Sequence, residues 1–184
     1  MTAKKKTPLS DPKTVSGFLL REKAAWEALS GTWKGLPEKA LLRPGACGKW
    51  SIKDVMNHIA SWQAATRLVF SDLLAGRSLP KGKYTIGKFN PIEYARYRKF
   101  PLSASKRRLQ RNRKMLLDLL AGVPKNRLLD LKHPVGVWAK YTTYGHYQEH
   151  LKALTVFRRK ASTGSASPPK NRKTISRQTV WKNR

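Results

Sequence analysis

The stretch 138-WAKYTTYGHYQEHLKALTVF-157 decides how the rest of the chain is read. Stepping about 100° per residue around a helix, Ala139, Thr143, His146, His150, Ala153, Leu154 and Phe157 fall on one side. Lys140, Tyr141, Gln148, Lys152 and Thr155 fall on the other. The segment therefore predicts one amphipathic helix with two histidines, four residues apart, in the middle of its inward face. A buried imidazole needs a partner for each nitrogen, and a pair at this spacing can share a divalent metal ion. Two ligands do not make a site, however. Two histidines satisfied separately by hydrogen bonds explain the pair equally well unless a third ligand comes from elsewhere.

One other segment supplies a candidate. Ser51-Ile52-Lys53-Asp54 resembles a capping box, with Asp in place of the usual Glu or Gln, and it predicts a helix from there to about Gly76. Val55, Ile59, Trp62, Thr66, Val69 and Leu73 form its apolar stripe. His58 lies on the edge of that stripe, facing a neighbouring helix, while Lys53, Asn57 and Ala64 lie away from it. Taken alone, His58 reads more simply as a satisfied boundary histidine. His133, before a proline and outside any apolar pattern, reads as a loop residue and the weakest ligand of the four histidines. Glu149 adjoins the pair in sequence but points about 100° off their face, so it is not assigned as a general base.

Length and charge bound what such a site can belong to. The 184 residues, 40% of them hydrophobic, suit one domain with one core. The chain carries 39 Lys or Arg against 10 Asp or Glu, a formal charge of +29. Residues 14–157 hold 26 of those cations against nine acids, so the predicted fold is itself strongly basic. Such a field favours polyanions. Cys47 is the only cysteine, which excludes an intramolecular disulfide and a Cys-rich zinc site; it falls in a loop with no partner evident. No uncharged apolar stretch is long enough to span a bilayer, and no apolar run follows the basic start. The expectation is a cytoplasmic protein.

The remaining segments complete an all-α pattern. A first helix is expected from Asp11-Pro12, with Val15, Phe18, Leu19, Ala25, Trp26 and Leu29 inward and an end at Gly31. Residues 37–50 and 77–90 read as loops, the second long enough for a crossover or lid. Asn90-Pro91 opens a short helical piece that Pro101 interrupts. Ser103 is expected to cap a further helix to about Ala121, with Leu109, Leu116, Leu119 and Leu120 inward. Arg107, Arg108, Arg111 and Lys114 are placed on its outer face as candidate phosphate contacts, a merely solvated surface being the plainer reading. No aromatics are interleaved there to stack on bases. Residues 125–137 form a connection. Residues 1–10 and 161–184 are expected to be flexible or disordered basic tails.

Four amphipathic helices and no strand pattern predict a four-helix bundle over residues 11–160. GKWSIKDVMNHIASWQ (48–63) resembles the Trp-Ser-x-Lys-Asp-Val-x-x-His-Ile/Leu-x-x-Trp signature of the DinB-like superfamily, and GHYQEH (145–150) resembles its helix-four motif. Tyr94-Ala-Arg-Tyr-Arg98 and the following Pro101-Leu-Ser are most similar to the DfsB (ClbS-like) branch. The resemblance implies a divalent metal, Zn, Ni or Fe, held by His58, His146 and His150. It implies a metal-dependent hydrolase or transferase acting on a small electrophilic molecule, or else a non-catalytic, DNA-associated protective protein. The partners implied are a small-molecule substrate or toxin and non-specific DNA. The oligomeric state is left open, a homodimer included.

Overall fold

The computed structural model describes residues 11–79 and 82–163. The tail expectations for residues 1–10 and beyond 163 lie outside the described residues. Among those described there are eight helices and no strand, β-pairing being limited to an isolated bridge between Cys47 and Trp50. The helices are α1 (Val15–Gly31), α2 (Glu38–Leu42), α3 (Ile52–Leu74), α4 (Ile86–Tyr97), α5 (Leu102–Ala121), α6 (Lys125–Leu128), α7 (Pro134–Thr142) and α8 (Tyr144–Ser162). The all-α expectation is met. No helix among them is long and apolar enough to cross a membrane.

Local chemistry explains most of the boundaries. Ser51 caps α3 with a complete capping box: its hydroxyl accepts from the Asp54 N–H, and the Asp54 carboxylate accepts from the Ser51 N–H. α1 starts later than Asp11-Pro12, because Thr14 is the N-cap and accepts from the Gly17 N–H. α4 starts at Ile86, ahead of the expected Asn90-Pro91, and carries Pro91 inside it. Pro101 rather than Ser103 precedes α5. The 125–137 connection contains α6 and the start of α7, and the Nδ1 of His133 caps α7 by accepting from the Val135 N–H.

The single helix expected over 138–157 is broken at Thr143, whose φ and ψ are −117° and −118°. The hydroxyls of Thr142 and Thr143 donate back to the carbonyls of Trp138 and Ala139, a bond that competes with a straight helix. Gly145 lets the two pieces close up, since a Cβ there would lie 2.9 Å from the Lys140 carbonyl oxygen.

Two apolar clusters fill the bundle, and every long helix contributes to both. Ala60 of α3, Leu109 of α5, Leu29 of α1 and Tyr147 of α8 belong to one. Val69 of α3, Leu116 of α5, Phe18 of α1 and Tyr144 of α8 belong to the other. Following each chain from cluster to cluster, α3 and α5 run in one direction and α1 and α8 in the opposite one. Parallel neighbours cannot be joined by a tight turn; α3 is about 35 Å long, and residues 75–101, with α4, are the return path.

Between the clusters lies a buried polar layer. Glu22, fully buried, accepts two hydrogen bonds from the Arg113 guanidinium at 2.9 and 2.7 Å. The Tyr147 hydroxyl donates to Glu22 and accepts from the Gln63 amide. A charge in the core is tolerable only when paired in this way.

Candidate metal centre

The structure brings together three histidines from two helices. His58 projects from the second turn of α3, and His146 and His150 from the first two turns of α8. The His146 Nε2 lies 2.8 Å from the His58 Nε2 and 3.1 Å from the His150 Nε2. The ligand atoms of the three all lie within 4.8 Å of one another. His133 is elsewhere, at the start of α7, and Glu149 is exposed.

Electrostatics keep the triad uncharged. Burial pushes His58 well below the usual imidazole range, assisted by repulsion from His150. His146 is depressed by burial and then by both other rings, and burial brings His150 down to about 4. Neutral imidazoles keep the lone pairs a metal needs.

The donor set fits a metal better than it fits hydrogen bonding alone. A nitrogen–nitrogen hydrogen bond needs one protonated and one bare nitrogen. The His146 Nε2 has two such neighbours and at most one proton to give, so protons cannot satisfy both contacts well. One cation satisfies all three lone pairs. Metal–nitrogen bonds of about 2.0–2.1 Å in tetrahedral geometry place ligand atoms about 3.3 Å apart, close to the 2.8 and 3.1 Å separations about His146.

A tight turn frames this cluster. Gly48, at φ +60°, reverses the chain so that the Trp50 N–H donates to the Cys47 carbonyl and the Cys47 N–H to the Trp50 carbonyl. The turn sets the Trp50 ring on His58, with centroids 4.8 Å apart, and brings the Cys47 sulfur to 3.6 Å from the His150 Nδ1. Cys47 therefore has a partner, contrary to the sequence expectation. On the other side Trp62 faces His146, and its indole N–H donates to Asn90 of α4. Trp50, Asn57, His58, Asn90 and Tyr94 contribute to a small cleft between α3 and α4.

Of the four cations expected on the outer face of α5, one is buried. Arg107, Arg111 and Lys114 are exposed, the last paired with Asp118. Arg108 is only 8% exposed and points into the bundle. Its guanidinium donates to the Asn57 carbonyl at 2.8 Å and the Ser61 hydroxyl at 2.9 Å, lies 3.5 Å from the Tyr97 ring centroid, and pairs with Glu93 at 3.7 Å. Asn57, also expected outside, is buried, and its amide donates to Ser105 and to the Tyr97 carbonyl. Arg108 stands in the buried series Leu102, Ser105, Arg108, Asn112, Leu116 and Leu120. That helical spacing was the signal in the sequence, outweighed there by the charge of the side chain.

These features define a class: an all-α bundle whose parallel middle helices are joined by a long crossover, with three histidines converging inside. The chain belongs to the DinB superfamily, whose sequence profile matches residues 23–153. No curated protein matches it. Among solved structures it is similar to an uncharacterised protein from Escherichia coli UTI89, with TM-score 0.69 and 16% identity over 88% of this chain and all of that one. It is similar to the colibactin self-resistance protein ClbS in complex with double-stranded DNA, with TM-score 0.69 and 13% identity over 80% of this chain and 96% of the other. The sibling lethal factor precursor DfsB aligns with TM-score 0.64 and 15% identity, over 84% and 96%.

Proposed function

We propose that this chain binds one divalent ion, Zn²⁺, Ni²⁺ or Fe²⁺, through His58, His146 and His150, and acts as a hydrolase or transferase on a small electrophilic molecule. The observation that carries the reading is the convergence of three neutral Nε2 atoms in a buried setting. An ion held by three protein ligands keeps open positions, where it polarises an electrophile or lowers the pKa of a bound water. The protein's own contribution is threefold. Burial holds the imidazoles unprotonated, the rings of Trp50 and Trp62 shield the triad from solvent, and the cleft between α3 and α4 gives access beside His58.

The test is elemental analysis of untagged protein purified without chelator, beside His58→Ala, His146→Ala, His150→Ala and His133→Ala. The reading expects about one ion per chain, lost in the first three variants and kept in the fourth, with a lower melting temperature wherever it is lost. Wild-type protein that cannot be loaded with Zn²⁺, Ni²⁺, Fe²⁺ or Mn²⁺ at neutral pH overturns it.

A second reading, a DNA-associated protective protein without catalysis, draws on different observations. The strongly basic body exposes Arg107 and Arg111, and a structural relative carries double-stranded DNA. Phosphate binding of this kind weakens steeply as salt rises. Removal of the metal would leave it unchanged, which separates the two readings.

A further inference from the structure

The Nε2 atoms of the triad are the half of each ring that faces its neighbours; the far nitrogens decide which tautomer each ring adopts. The His146 Nδ1 is buried and has no hydrogen-bond partner. The His150 Nδ1, by contrast, lies 3.6 Å from the Cys47 sulfur, within reach of a sulfur hydrogen bond. Cys47 is held there by the backbone: its N–H and that of Ala46 both donate to the Trp50 carbonyl, and Gly48 supplies the positive φ that closes the turn. The same turn ends at Ser51, which caps α3 and thereby sets the register of His58. One short segment thus locates a sulfur against α8 and a histidine on α3.

Two proton arrangements are open to this contact. If the thiol donates, His150 carries its own proton on Nε2, pointing it at the His146 Nε2. That atom, also 2.8 Å from the His58 Nε2, must then accept, so His146 carries its proton on a buried Nδ1 that has no acceptor. If His150 donates from Nδ1 to the sulfur, its Nε2 is bare, and His146 is free to place its proton on Nε2 with the His150 Nε2 as acceptor at 3.1 Å. Leaving an acceptor unmatched is less costly than burying a donor without a partner. In metal-free protein the second arrangement avoids the orphaned donor. It also keeps the His150 lone pair directed into the triad.

We propose that Cys47 is a positioning residue that sets the tautomer of His150, its sulfur accepting the Nδ1–H so that Nε2 presents a lone pair to the cluster. The consequence for metal binding rests on the proposed function. The consequence for the proton does not. Outer partners of metal-bound histidines fix the ring and its tautomer, and losing one typically lowers metal affinity by about 10–100-fold.

The test uses full-length protein labelled with ¹⁵N-histidine, as wild type, Cys47→Ala and Cys47→Ser. Long-range proton–nitrogen correlation in metal-free protein identifies the protonated nitrogen of His150, and Co²⁺ titration gives the affinity. Expected are Nδ1–H in wild type and Cys47→Ser, whose hydroxyl also accepts, and a shift toward Nε2–H in Cys47→Ala with Co²⁺ binding weakened by about 10–100-fold. Nε2–H at His150 in wild type overturns the proposal. So does an unchanged tautomer in Cys47→Ala, even if affinity drops. A tautomer that follows Cys47 in a protein that takes up no metal supports the proton assignment while refuting the metal reading.

Discussion

Replacing Arg108 by leucine tests the buried polar architecture that holds α4 over the triad. The substitution removes hydrogen bonds to the Asn57 carbonyl and the Ser61 hydroxyl and the contact with the Tyr97 ring. Ser61, itself buried, is left without that partner, whereas Glu93 keeps Arg96 at 3.1 Å. Hydrogen bonds from a charged donor are worth about 1.5–3 kcal/mol each, and the contact with the ring adds about 1 kcal/mol. Relief of the cost of desolvating the guanidinium and the apolar surface of leucine offset part of this. A net loss of about 3 kcal/mol follows, or a melting temperature lower by about 6–12 °C for a chain of this length. Urea denaturation followed by helical circular dichroism measures it, with the slope m unchanged if the native state is otherwise intact. Arg107→Leu and Arg111→Leu, at exposed positions, should each stay within about 0.5 kcal/mol of wild type. If Arg108→Leu costs no more than those two, the buried Arg108 contacts add no net stability.

Three further outcomes are expected. The three imidazoles are neutral in the fold, with pKa values below the ordinary 6.5, whereas unfolded chains protonate them near that value. Unfolding therefore takes up protons, and metal-free protein should lose stability as pH falls from about 6.5 toward 4, by up to about 1.4 kcal/mol per pH unit for each ring still neutral; a His58→Ala/His146→Ala/His150→Ala variant with the same pH profile would contradict this. Double substitution of Arg107 and Arg111 by glutamine should weaken duplex DNA binding and reduce the slope of log affinity against log salt by about 2, while a slope unchanged within error would place the phosphate contacts elsewhere. Gly145→Ala sets a methyl group 2.9 Å from the Lys140 carbonyl, and overpacking of that kind costs about 1–3 kcal/mol; urea denaturation should show it, and a variant as stable as wild type would mean the α7–α8 break does not depend on close approach.

The sequence alone determined whatever depends on neighbours along the chain. The capping box at Ser51 and Asp54 is a three-residue relation, and α3 begins there. Helical periodicity placed Ala139, Thr143, His146, His150, Leu154 and Phe157 on a buried face, and it survives the kink at Thr143 because that break leaves the same face inward. The all-α class and the long connection after α3 were likewise legible, since amphipathic periods and turn residues are local signals.

Which residues meet across helices is settled by packing rather than by local pattern. Charge suggested an outward Arg108, and only the neighbouring Asn57 carbonyl, Ser61 and Tyr97 make an inward guanidinium affordable. Glu22 stands four residues after Phe18 on the inner face of α1, yet only Arg113 and Tyr147, 91 and 125 residues away in sequence, give it partners. Cys47 lies 103 residues from His150, a separation over which no periodicity carries information. The physical reason is the same in each case: a buried polar group is stable through its partners, and partners distant in sequence become neighbours only when the helices pack.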